Sequence, residues 1–161
     1  MPYNRSLIYV LGCLALYACN QKSHNLSREV RAGIVQEVEK GFKNYFAAVR
    51  RGGLTAELDY LDDSADFFWV PPGYDQPISY DSVVAVLNSS AERYRLIENI
   101  MDSLHVVPLS LDLASYSARI RSTMHDTAGQ TTTLHLVESG IVVRRNETWK
   151  LLSGQTTVIN R

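Results

Sequence analysis

An α+β fold, with one long helix laid against a curved and mostly antiparallel sheet, is predicted by three observations. The first is a helical stripe. Val30, Ile34, Val38, Phe42, Phe46 and Val49, with Val35 and Tyr45 beside them, recur at three- and four-residue steps between Ser27 and Arg51. The second is a change of period in the second half of the chain. There Ala114, Tyr116, Ala118, Ile120 and Met124 alternate with Ser115, Ser117, Arg119, Arg121 and Thr123, as in a half-buried antiparallel strand. The third is the order of these signals, helices first and long strands after, which argues against alternating βαβ units. A sheet curled about one amphipathic rod leaves a conical hollow open at one end.

The elements follow in order. Ser27 is placed to cap the first helix and Gly52-Gly53 to release it. Thr55 to Leu61 reads as a short second helix with Leu54, Leu58 and Leu61 on one side, ended by Asp62-Asp63-Ser64. Asp66 to Val70 is an aromatic, extended run before the Pro71-Pro72-Gly73 turn. Ser79 or Asp81 caps a third helix whose stripe is Val83, Val84, Leu87, Ala91 and Tyr94, reaching Arg95. Four strands are then predicted: Ile100 to Val107, Leu113 to His125, Thr131 to Arg145 and Thr148 to Ile159. Asn146-Glu147 is the tight turn between the last two, and Ser139-Gly140 is a candidate bulge.

The 161 residues, 45% of them hydrophobic, suffice for one domain with a real core. The formal charge is −1 without a basic run, so nucleic acid is not an expected partner. Arg5 followed by the apolar run Leu7 to Ala18 reads as an export leader rather than a stable membrane span. Leu16-Tyr17-Ala18-Cys19 resembles a bacterial lipoprotein signal. It implies a leader over residues 1–18, lipidation of Cys19, a tether over 19–26 and a domain over 27–161, placed in the cell envelope, periplasmic or surface-exposed. An ordinary cleaved secretory leader is the alternative. Removal of Cys13 with the leader would leave a single cysteine, so no disulfide is expected.

The chain from Val30 to Ile159 resembles the SnoaL-like group of the cone-shaped fold, shared with ketosteroid isomerases and nuclear transport factor 2. The resemblance rests on Asn44 to Val49 before Gly52-Gly53, on Asp66-Phe67-Phe68-Trp69-Val70, and on Thr148-Trp149-Lys150-Leu151-Leu152-Ser153. It implies a cavity in the cone, and a homodimer through the outer sheet face. By analogy with the isomerases, Tyr45 matches an oxyanion-hole tyrosine. The position of their catalytic carboxylate is Val70, which cannot carry a proton. Histidines common on the last strand of relatives are replaced at that parity by Leu151, Ser153, Gln155 and Thr157.

The residues expected around a ligand are thus Tyr45, Phe68, Trp69, Tyr116, Trp149, Ser153 and Gln155. Catalytic candidates are Tyr45, Glu138 and Asp66. Glu138 shares parity with Leu134 and Leu136, which leads into the cavity, but a bulge at Ser139-Gly140 is expected to turn it outward. Asp66 is expected to end a turn in water. Arg119 and Arg121 should dress the outer sheet face. His24, His105, His125 and His135 lack metal-ligand spacing, and no cofactor is expected. The preferred reading is a membrane-anchored, non-catalytic module binding a small apolar molecule. The alternative is an isomerase, cyclase or dehydratase acting on a small hydrophobic carbonyl compound.

Overall fold

The computed structural model describes residues 26–159, so the expected leader, Cys19 and nearly all of the expected tether lie outside the described residues. Helix α1 spans Arg28–Gly52, and its first turn is capped by the Ser27 hydroxyl, which accepts from the Val30 amide at 3.3 Å. It ends where Gly53 takes φ 75°, a left-handed value that suits glycine. A 3₁₀ helix, η1, covers Leu54–Tyr60, and strand β1 covers Phe68–Val70. Helix α2 (Tyr80–Ser90) and the short 3₁₀ turn η2 (Ala91–Arg93) lead into β2 (Tyr94–Pro108). Strands β3 (Leu113–Asp126), β4 (Thr131–Arg145) and β5 (Thr148–Val158) complete the chain.

The five strands form one sheet in the order β1-β5-β4-β3-β2. Only β1 runs parallel to its neighbour, β5; the remaining pairs are antiparallel hairpins. This is the expected α+β architecture. Ile34, Val38 and Phe42 of α1 are buried against Ala114, Tyr116, Ala118 and Ile120 of β3 and Val142 and Leu151 beyond, and Val49 is buried nearer the helix exit. Each of the larger side chains contributes on the order of 1.5–3 kcal/mol through burial.

Three boundaries differ from expectation. The third helix stops at Ser90, and Tyr94, predicted as its last stripe residue, instead opens β2, six residues before the predicted strand start. Long β3 explains this, because its end supplies pairing partners as far as Tyr94↔Asp126. The segment after α1 is 3₁₀ rather than α. The strand bulge also lies elsewhere. Ser139 and Gly140 pair continuously with β3 and with β5, whereas the register slips between Ile141↔Ser153 and Val142↔Leu151, which leaves Leu152 of β5 as the extra residue. Glycine is required at 140 all the same. A Cβ there would strike the Ser153 carbonyl, which the bulge pushes toward it.

The β4–β5 turn is as predicted, with Asn146 and Glu147 both left-handed (φ 47° and 64°) in the manner of a two-residue hairpin loop. An ion pair between a buried carboxylate and a half-exposed arginine ties the segment after η1 to the sheet. Asp62, 1% exposed, accepts from Arg145 Nε and Nη2 at 3.0 and 3.1 Å and from the Ser64 hydroxyl at 2.5 Å. Burial alone would push its carboxyl up; the arginine fork and the hydroxyl more than reverse that and hold it below the usual range.

Candidate active site

The hollow between α1, η1, α2 and the concave face of the sheet is a cavity of about 290 Å³. Its walls are apolar, built from such residues as Phe46, Val49, Ile97, Ile120, Leu134 and Leu136. Pro71, Pro72, Tyr74 and Tyr94 also line it, as do Tyr45 and Trp69. Its charged lining consists of two carboxylates, Glu57 and Glu138, and no Lys, Arg or His is among the lining residues.

Glu57 is placed by η1. A 3₁₀ helix repeats every three residues, so Leu54, Glu57 and Tyr60 share one face. Leu54 and Glu57 line the cavity, and Tyr60 is buried. Tyr60 stacks on Tyr45 with ring centroids 4.4 Å apart and 12° between planes. That stack fixes Tyr45, whose hydroxyl donates to Glu57 Oε1 at 2.8 Å. Burial carries the Glu57 carboxyl up to about 7; the Tyr45 hydrogen bond opposes the rise and the nearby Glu138 adds to it.

Glu138 is placed by the pleat of β4, in step with Leu134 and Leu136. Tyr116 donates to its Oε1 at 2.6 Å and Thr156 to its Oε2 at 2.9 Å. Trp69 Nε1 donates in turn to Thr156 Oγ1 at 3.0 Å, which leaves the threonine proton free for the carboxylate. Burial raises this carboxyl too, against the pull of its two donors. The enclosing protein keeps Tyr45, Tyr60 and Tyr116 protonated far into the alkaline range. Tyr60 Oη is buried without a hydrogen-bond partner in this cluster.

The sequence-predicted residues divide accordingly. Tyr45, Trp69 and Glu138 line the cavity, and Tyr116 meets Glu138 from beneath. Glu138 is therefore not turned outward: the bulge that would have done so sits on β5 and leaves β4 in register. Ser153 and Gln155 are not lining residues. The extra Leu152 flips the parity of β5 beyond it, so that Gly154 and Thr156 are buried and Gln155 is exposed. Trp149 is a core residue beyond the cavity lining, its indole N–H donating to Glu37 at 3.0 Å. Phe68 is 47% exposed, because Phe67 and Trp69 take the inward places around it. Asp66 is exposed, as expected of a turn acid, and is not a wall residue. Arg119 and Arg121 lie exposed on the sheet's outer face, Arg121 3.4 Å from Asp102. Among the described residues no cluster of His, Cys, Asp and Glu is arranged to hold a metal ion.

Glu57 was not anticipated. Counted at the 3.6-residue period of an α-helix, it falls at the edge of the Leu54, Leu58 and Leu61 stripe and reads as a flanking polar residue; counted at three, it joins Leu54 and Tyr60 on one face. The Leu54-x-x-Glu57-x-x-Tyr60 spacing was the available signal.

A long helix in a five-stranded curved sheet, with a shorter helix closing the open side, is shared with many solved structures. The fold is nuclear transport factor 2-like. A provisionally named scytalone dehydratase from Novosphingobium aromaticivorans superposes with a TM-score of 0.73 at 10% identity, over 83% of this chain and 89% of that one. A nuclear transport factor 2-like superfamily protein from Salmonella enterica gives 0.67 at 12% identity, over 81% and 94%. A hexachlorocyclohexane dehydrochlorinase of the LinA type 3 from Novosphingobium barchaimii gives 0.64 at 12%, over 83% and 92%. No protein-family model and no curated protein sequence matches the chain. At these identities the likeness concerns the nuclear transport factor 2-like fold, and activity has to be argued from the site.

Proposed function

We propose that this domain is an acid–base enzyme that moves a proton on a small, largely apolar, uncharged carbonyl substrate, in an isomerisation or an elimination of water. One observation carries the reading: a carboxyl with a pKa of about 7, Glu57, bonded to a phenol within an apolar cavity. A group titrating near working pH is populated in both forms and serves as base and then acid. This replaces the non-catalytic reading preferred from the sequence, which rested on the absence of any proton carrier in the hollow.

In this mechanism ionised Glu57 takes a proton from the carbon next to the carbonyl. The electron pair moves onto the carbonyl oxygen, and the Tyr45 hydroxyl, released from its bond to Glu57, donates to that oxygen. Protonated Glu57 then returns the proton to another carbon, giving the isomer, or to a departing hydroxyl, giving the unsaturated product and water. Glu138, held by Tyr116 and Thr156, faces the same space as the second carboxyl. With two acids and no lining cation, the cavity disfavours anionic ligands. Two of the structural neighbours are named for eliminations, a dehydratase and a dehydrochlorinase, which supports the reaction class.

The resemblance of Leu16-Tyr17-Ala18-Cys19 to a lipoprotein signal supports the further reading that the domain works at a membrane of the cell envelope, held by acyl chains on Cys19. The decisive experiment is solvent exchange. Incubation in deuterium oxide with a panel of small cyclic ketones and β-hydroxyketones should show enzyme-dependent deuterium uptake beside the carbonyl, lost in Glu57→Gln. Binding of such compounds without exchange or turnover would restore the non-catalytic alternative.

A further inference from the structure

The hairpin between β2 and β3 carries the two most exposed large apolar side chains recorded for the domain, Leu109 at 54% and Leu111 at 57%. Val107 of β2 and Val30 of α1 are each 39% exposed. The first turn of α1 is pinned to this hairpin, since Arg31 Nη1 donates to the Pro108 carbonyl at 3.1 Å. The tip is tightly wound. The Leu109 and Ser110 amides both donate to the Leu113 carbonyl at 2.9 and 3.0 Å, and the Asp112 amide donates to the Ser110 hydroxyl at 3.2 Å. Three tip amides thus need no water, which lowers the cost of bringing the tip against an apolar medium. Nearby charges balance, Arg28 and Arg31 against Glu29 and Asp112, so apolar contact rather than net charge selects the partner.

The chain itself says where this end lies. Leu26 packs against the core at the start of α1, and six residues, hence seven Cα-to-Cα steps, separate it from Cys19. At full stretch these span about 25 Å. We infer that the α1 start and the β2–β3 hairpin form a foot that rests on a phospholipid bilayer, with Leu109 and Leu111 entering its apolar layer. This rests on the reading that Cys19 is acylated.

The test uses the full chain, produced with its leader and reconstituted into phosphatidylethanolamine–phosphatidylglycerol vesicles. Spin labels are attached at L109C and L111C, with Q76C and T157C as exposed references and the unsubstituted chain as background. Collision with oxygen, which concentrates in the bilayer, is compared with collision with a water-soluble nickel chelate. Positions 109 and 111 should favour oxygen several-fold over the references, with circular dichroism unchanged. Nickel access at 109 and 111 equal to that at 76, on protein that survives washing, would overturn the foot and leave the anchor standing. Exclusion of both reagents at the hairpin would point to a protein partner and overturn it too. Loss of the protein from washed vesicles would overturn anchor and foot together.

Discussion

The Tyr45 hydroxyl donates to Glu57 across 2.8 Å, joining the last third of α1 to a 3₁₀ turn that the helix exit delivers against it. The carboxyl and the phenol that the proposed mechanism uses as base and oxyanion donor are thereby held in contact with each other. The pair sets the pH response. Glu57 acts as base only when ionised, so kcat/KM should rise along a limb near pH 7, an apparent value belonging to Glu57 and Glu138 together. Glu57→Gln should remove that limb and lower kcat on the order of 10²–10⁴-fold. Tyr45→Phe keeps the stack on Tyr60 but removes the bond that lowers the Glu57 pKa. Its limb should therefore shift to higher pH, alongside a fall in kcat.

Glu138 is held down by its donors, and their removal has a definite sign. Thr156→Val deletes the bond to Oε2 and Tyr116→Phe the bond to Oε1. Each should raise the Glu138 pKa further, readable as the carboxyl stretching band moving from its ionised to its protonated position at higher pH. An unchanged titration in both variants would mean that the hydrogen bonds do not govern this carboxyl.

Stability should fall as pH rises, contrary to the usual carboxylate. The folded Glu57 pKa lies above its unfolded value of 4.5, so its favourable contribution is complete below about pH 4.5 and lost as pH passes through about 7. Glu57→Gln should be more stable than the parent at pH 8.5 by about 1–3 kcal/mol and close to it at pH 4.5. Urea midpoints across that range give the comparison. Glu138 contributes with the same sign, so the double glutamine variant should show the flatter profile.

Asp62 behaves in the opposite sense. Its carboxyl is held low by Arg145 and Ser64, so the contribution is present above the unfolded value of 3.8 and lost on acidification through its lower folded value. Asp62→Asn should cost about 2–4 kcal/mol at pH 7, because it leaves the arginine fork facing a buried amide. Arg145 is 45% exposed along its side chain, which favours the smaller figure. The cost should shrink toward pH 2.

Glu147 occupies a left-handed position without the freedom of glycine, and its ion pair with Arg144 involves a side chain that is 87% exposed. Glu147→Gly should raise the thermal midpoint, by about 1 kcal/mol in stability, since the relieved backbone strain exceeds what an exposed ion pair contributes. A lowered midpoint would show that the ion pair outweighs the strain.

What the sequence made legible follows from periodicity. α1 and β3 announce themselves because a single face of each is apolar over many residues, and the α+β order follows. Tyr45, Trp69 and Tyr116 could be placed because each lies on an element whose period holds, whereas Glu138, on the right parity, was expected to turn outward at a bulge that lies on β5 instead. The failures occur where the period changes. At Leu152 one inserted residue reverses the parity of β5, exchanging Gln155 for Thr156 on the inner wall. At η1 the repeat shortens from 3.6 to three, which moves Glu57 from the edge of the leucine stripe onto the cavity face. The extra Leu152 has no sequence signature of its own, whereas the three-residue recurrence of Leu54, Glu57 and Tyr60 is visible once a 3₁₀ period is tried.

The length of α1 has a consequence for traffic. Val30 and Val49 are nineteen residues apart on it, about 28 Å along its axis. Val30 belongs to the hairpin end and Val49 to the cavity wall. A molecule standing on that hairpin would carry its opening well above the lipid headgroups. Guests would be drawn from the surrounding water rather than sideways from the membrane, so their aqueous solubility would govern supply.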